Sequence, residues 1–352
     1  MSTSVQTPQE LIALGLAQPG ERAALEAVAE RYAVAISPTI LGLIDKADPA
    51  DPIARQFVPS PAEMVTTADE RADPIGDHAH SPVEGVVHRY PDRVLLKLVN
   101  VCAVYCRFCF RREMVGQGGP AMLSPAQFDT AFNYIAARPE IWEVILTGGD
   151  PLVMSPRRLR TVMARLGTIP HVKIVRIHTR VPTVEPERVT PALVEALKDS
   201  GKTTYLGLHV NHARELSAAA RAACARIVEA GIPMVSQTVL LKGVNDRADV
   251  LADLMRALIE CRVKPYYLHH GDLAPGTSHL RTDIATGQAL MRQLQGRLSG
   301  LALPSYVLDI PGGYGKAPAG PAYVTANGEA GQVTVTDFNG RAHIYPPRGS
   351  GV

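Results

Sequence analysis

The feature that most restricts this chain of 352 residues is a rhythm that starts at Val94, where short β-branched runs are each followed by an amphipathic stretch of helical length. The runs are VLLKLVNV (94–101), WEVILT (142–147), VKIVRIH (172–178), TTYLGLHV (203–210), PMVSQTVLL (233–241) and VKPYYLHH (263–270). Between them the spacing predicts helices over 124–137, 155–166, 190–199, 215–230 and 247–261. Single helices between nearly continuous apolar strands indicate parallel strands covered on their outer side. The fold class that follows is α/β: a partial or complete (β/α) TIM-like barrel, with function at the carboxyl ends of its strands. A Rossmann-like open sheet is the alternative. Ahead of the rhythm, Leu11, Leu14, Leu16, Leu25, Val28 and Tyr32 recur at helical spacing. After Gly300 come LPSYVLDI, the glycine-rich PGGYGK and short alternating segments. The chain therefore divides into an N-terminal helical leader and loop (1–82), a barrel (83–300) and a C-terminal segment with a small β appendage (301–352).

Lys+Arg 36 against Asp+Glu 34 leaves a formal charge of +2, without the basic excess that nucleic acid or a membrane surface asks of a partner. No run of 18 apolar residues occurs, and the amino terminus lacks a basic region followed by an apolar stretch, so a cytoplasmic protein is expected. Five cysteines is an odd number, and Cys102, Cys106 and Cys109 crowd into eight residues, which speaks against a disulfide framework and for a reducing compartment.

Those three cysteines stand in CAVYCRFC, a C-x3-C-x2-C spacing on the loop after the first barrel strand. Thiolates this close suit a metal centre, since metal ligands must be deprotonated and convergent. Structural zinc asks for a fourth protein ligand, and none follows at finger-like spacing, although His88 is nearby. A [4Fe-4S] cluster usually takes four cysteines; three leave one iron open to a small chelating molecule. Further along, TGGDPL (147–152) offers Gly148 and Gly149 for close backbone approach and the Asp150 carboxylate for an ammonium. In YVLDIPGGYGKAP, Lys316 follows flexible backbone, as a carbonyl-capturing lysine requires.

The C-x3-C-x2-C spacing, with Tyr105 and Phe108 before the second and third cysteines, resembles the radical S-adenosylmethionine superfamily. The ordered blocks HRYPDRVLL, CRFCFRR, TGGDP, VNHARE, QTVLLKGVND, PYYLHHGDL and DIPGGYGK, spanning about 83–320, resemble the lysine 2,3-aminomutase family within it. The resemblance implies an isomerase that interconverts L-lysine and β-lysine with a [4Fe-4S] cluster, S-adenosyl-L-methionine and pyridoxal 5'-phosphate, supplied by a reducing electron donor. It implies that Cys102, Cys106 and Cys109 hold the cluster and that Gly148, Gly149, Asp150, His209 and Gln237 contact S-adenosylmethionine. Lys316 would hold the pyridoxal aldehyde, with Arg89 and Arg93 engaging that cofactor. Arg111 would pair with the substrate carboxylate, and Asp272 with Asp309 would receive the terminal ammonium of lysine, a pair unsuited to an anionic glutamate tail. His269, His270, Tyr266 and Tyr267 carry weaker signals.

The chain departs from the longer members of the family. It has no cysteine after Cys261, and GVND continues to Arg247 where those members continue to a cysteine, so no C-terminal zinc site is expected and homo-oligomerisation is left open. The compact length matches relatives that make (R)-β-lysine for elongation factor P, the first alternative function. Two others are an iron-sulfur protein without mutase activity and a zinc-binding structural module.

Overall fold

The structure, a computed structural model, describes residues 4–116, 118–328 and 331–346; the ends of the expected leader and tail lie outside the described residues. Nine strands form one sheet in the order of the chain. β1 (Val86–Tyr90) pairs antiparallel with β2 (Arg93–Val99). Then β3 (Glu143–Gly148), β4 (Ile174–Thr179), β5 (Thr203–His209), β6 (Met234–Val239), β7 (Val263–His269) and β8 (Ser305–Ile310) follow in parallel. β9 (Gly315–Pro318) turns back antiparallel to β8. Sequential order throughout is that of a barrel, not of a doubly wound sheet, and the Rossmann-like alternative falls. The ladder does not join β1 to β9. At that seam the Lys316 amide donates to the Tyr90 hydroxyl at 2.8 Å.

The six apolar runs became β2 to β7, each within two residues of its predicted bounds. The helices start where Ser or Thr can cap them and proline can take the first turn: Ser124 accepts from the Gln127 amide ahead of Pro125–Ala136, and Ser155 from the Arg158 amide ahead of Pro156–Gly167. Two helices are shorter than predicted. Pro191–Ala196 ends early, and the helix expected from Glu215 begins at Ala218, because Glu215 is drawn into a buried 3-10 turn as a hydrogen-bond acceptor. Residues 305–318, which the sequence reading put in the C-terminal segment, complete the barrel sheet; β10 (Val324–Ala326), β11 (Val333–Thr336) and β12 (Ala342–Tyr345) form a separate antiparallel sheet.

One face of the barrel strands carries Leu96, Leu98, Leu146, Ile177, Leu206 and Leu208, which pack with Phe132, Ile135, Leu159 and Val162 of the surrounding helices. The alternate positions hold the polar residues, with apolar ones such as Leu95 and Ile145 among them. Lys97 and Thr147 are register partners, as are His209 and Gln237, while Arg176 pairs with Glu143 at 3.0 Å. The strands thus follow a period of two, with an apolar outer face and a polar interior, rather than the near-continuous apolar pattern of a filled barrel. The N-terminal segment builds a second core, in which Leu11, Ile36, Ile40, Ile53 and Phe57 meet Val104 of the cysteine loop and Val184. No helix among the described residues is long and apolar enough to cross a membrane.

Candidate active site

The cysteine loop leaves the carboxyl end of β2, and all three of its cysteines are free thiols. Burial pushes their pKa values up, that of Cys109 to about 11, so without a metal they are thiols. Arginines surround them. The Arg180 guanidinium donates to Cys106 Sγ at 3.0 Å and is held from behind by Glu215 (2.6 Å) and Gln56 (2.5 Å). Arg107 and Arg112 both close on Glu63, which is fully buried. Arg112 also lies over the Tyr32 ring, 3.5 Å from its centroid. Removing Glu63 would strand two buried cations, so the N-terminal segment fixes the loop's shape.

At the end of β3, Gly149 packs so closely on the cysteine loop that a Cβ there would lie 2.2 Å from the Val101 carbonyl oxygen. The glycines of TGGDPL therefore serve backbone approach, as expected, and what they approach here is the loop. The Asp150 carboxylate accepts from the Leu152 amide (3.0 Å), the Thr179 hydroxyl (2.7 Å) and the Arg180 amide (2.7 Å), joining the ends of β3 and β4. His209, at the end of β5, stacks on Phe108 with centroids 5.5 Å apart, and its buried Nε2 has no partner among the described residues. Gln237 Nε2 lies 3.1 Å from His178 Nε2. Burial, and after it the charges of Arg176, Lys316, His269 and Arg111, holds His178 well below the ordinary histidine pKa.

Two arginines, Arg111 and Arg89, share one carboxylate. Arg111 donates to Asp77 through Nε (3.1 Å) and Nη2 (2.9 Å) and to Thr147 through Nη1 (3.3 Å). Arg89 donates to the other Asp77 oxygen at 3.2 Å and to the Ile75 carbonyl at 2.7 Å, and its buried Nε has no partner among the described residues. Burial alone would raise the Asp77 pKa, but Arg111, with Lys97 and Arg89, outweighs burial and keeps it ionised. Arg93 stands apart, paired with Asp92 at 2.7 Å and stacked on Tyr90 at 3.8 Å, beside the seam.

A second, acidic cluster lies close by, near enough for Asp272 to feel the charges of both Arg111 and Asp77. Asp309 on β8 is the register partner of Lys316 on β9, and the ammonium lies 2.7 and 2.8 Å from its two oxygens. Lys316 follows the glycine turn and stands on strand β9 itself. Gly315, at φ +88°, lets that turn pass the Tyr90 ring, where a Cβ would lie 2.9 Å from the hydroxyl. Burial would raise the Asp309 pKa, but hydrogen bonds and charge from His269 and Lys316 hold it well below the ordinary range. Asp272 goes the other way: burial and the neighbouring Asp309 push it to about 7.

The profile of the Radical SAM superfamily matches residues 96–255, from β2 to the helix before β7, and a profile described as lysine-2,3-aminomutase matches residues 291–349, including Lys316. The L-lysine 2,3-aminomutase of Acetoanaerobium sticklandii is 40% identical over 341 residues, 97% of this chain and 82% of that one. The chain belongs to the lysine 2,3-aminomutase family. The L-lysine 2,3-aminomutase of Clostridium subterminale is 41% identical over 312 residues (89% of this chain, 74% of the relative), and the glutamate 2,3-aminomutase of Clostridioides difficile 35% over 326 residues (93% and 76%).

Membership in the lysine 2,3-aminomutase family makes the chain an enzyme, an isomerase, and implies a [4Fe-4S] cluster, S-adenosylmethionine and pyridoxal phosphate. The donor chemistry of the residues suits these groups, although among the described residues no three Cys, His, Asp or Glu side chains are gathered into a metal site. Three thiols share one loop beside a guanidinium donor, the buried Nε2 of His209 and Nε of Arg89 have no partner among the described residues, and the Lys316 amine is held on a strand by Asp309. For this aminomutase, sequence reasoning missed Asp77, Lys97, His178, Arg180, Glu215 and Glu63. The only signal for any of them was a charged or histidine residue on the inner face of a strand, as at Lys97 and His178.

Proposed function

We propose that this enzyme interconverts L-lysine and β-lysine by moving the α-amino group to the neighbouring carbon. What supports the reading most is the acidic cluster of the interior: Asp309 already holds an alkylammonium, that of Lys316, and Asp272 adds a second carboxyl group close enough to feel its charge. A substrate with a cationic tail suits that cluster, and a glutamate tail does not. Arg111 receives the substrate carboxylate, so the amino acid is held at both of its charged groups and its reacting carbons are fixed.

Cys102, Cys106 and Cys109 hold the cluster, and Gly148, Gly149, Asp150, His209 and Gln237 line the S-adenosylmethionine site. Lys316 takes the pyridoxal aldehyde while Arg89 and Arg93 hold the phosphate. Together these cofactors supply a carbon radical and a ring that delocalises it. The chain's own part is to bind and orient lysine, to keep His178 and His209 neutral through burial, and to exclude water from the interior. Electrons come from a reducing donor.

Anaerobic incubation of cluster-loaded protein with dithionite, S-adenosylmethionine, pyridoxal phosphate and L-lysine is expected to give β-lysine, and glutamate no product. Absence of β-lysine from protein carrying full iron and the bound pyridoxal chromophore sinks the reading. Chiral resolution of the product separates this reading from production of (R)-β-lysine for elongation factor P.

A further inference from the structure

Lys97 lies on the inner face of β2, in register with Thr147 on β3, the residue whose hydroxyl accepts from Arg111 Nη1 at 3.3 Å. Its ammonium has no hydrogen bond or ion pair among the described residues, although the side chain is half-buried. Lys97, Arg89 and Arg111 are three cations; among the described residues Asp77 is the one carboxylate bonded to either arginine, and Asp77, Glu84 and Asp73 act on Lys97 through charge alone, without a hydrogen bond to it. Asp77 takes the Nε and Nη2 donors of Arg111, so much of that guanidinium's charge is already neutralised. A half-buried unpaired cation next to a second cation is costly in the free protein and becomes favourable only when an anion arrives.

We propose that Lys97 is a specificity residue that supplies the net positive charge for the substrate's α-carboxylate, with Arg111 giving direction and Lys97 giving charge. This deepens the reading of the site as one for an α-amino acid and rests on it. Two anions share the chemistry, the substrate carboxylate and the cofactor phosphate. The carboxylate is favoured because Lys97 stands in register with Thr147, the residue that Arg111 bonds, whereas Arg89 bonds the other oxygen of Asp77 and has no hydrogen bond to Thr147.

The test is calorimetric binding of L-lysine and L-lysinamide to the anaerobic holoenzyme, compared with Lys97→Met and Lys97→Arg. The wild type should prefer lysine to its amide; Lys97→Met should weaken lysine binding about tenfold while moving lysinamide less than about twofold, and Lys97→Arg should restore the preference. Loss of an unpaired cation should also raise the ligand-free melting temperature of Lys97→Met, whereas a purely structural lysine would lower it. An unchanged preference in Lys97→Met overturns the proposal. So does a variant that keeps the preference but loses pyridoxal 5'-phosphate more readily than pyridoxal, which would give Lys97 to the phosphate. If the holoenzyme binds norleucine as well as lysine, the lysine reading fails instead, and the carboxylate contrast is still measured on norleucine and its amide.

Discussion

Two charged clusters of the barrel interior solve the same problem with opposite charge. In the acidic one, Asp309 is satisfied by Lys316, and burial and Asp309 push the spare carboxyl, Asp272, to a pKa of about 7. In the basic one, Asp77 bonds two arginines, and the spare group, Lys97, has no hydrogen bond or ion pair among the described residues. Burial works against the charge of both spare groups, raising the pKa of the carboxyl and, with Arg111, lowering that of the amine, so each gains its full charge most readily when a ligand of opposite sign arrives.

The contrast can be broken or sharpened experimentally. The largest effect is expected from Asp309→Ala, which removes the main counter-charge for any ammonium and should weaken lysine binding by about 2–5 kcal/mol, read by calorimetry on the holoenzyme. Arg111→Lys keeps the charge but loses the planar donors to Asp77 and Thr147; a KM for lysine raised by about 1.5–3 kcal/mol in free-energy terms is expected, with the smaller change in kcat. Next comes pH. Below about 7 Asp272 holds a proton, and a substrate ammonium favours its ionised form, so the KM for lysine should fall as pH rises through about 7 and then level off. Asp272→Asn should flatten that profile. The smallest effect on the site is expected from Leu206→Ala on the outer face of β5, which should cost about 2–5 kcal/mol of folding stability by denaturant titration and leave the KM for lysine unchanged.

The barrel was legible because the runs that form β2 to β7 are rich in β-branched and apolar residues, and Ser or Thr with proline marks several helix starts. The polar lining was much less so. Arg176 and His178 interrupt the run in β4 without shortening it, and only the alternation of the folded strand assigns them to the interior. β1 was missed because five residues at an antiparallel edge carry no crossover helix to mark them. The support of the site was hidden for a different reason. Asp77 meets Arg111 across 34 residues, Glu63 meets Arg107 across 44, and Gln56 meets Arg180 across 124. No periodicity encodes such partners, whereas the cysteines and the glycine turn before Lys316 are local patterns.

The hairpin between β8 and β9 gives segment length a chemical meaning. Ile310 pairs with Gly315, and from that pairing Asp309 comes to stand opposite Lys316. Side chains alternate along a strand, so one residue added to or deleted from 311–314 would slide the ladder by a step and send the amine to the opposite face. Counting the residues between Asp309 and Lys316 is therefore a quick check on whether any variant of this protein can still present its lysine inward.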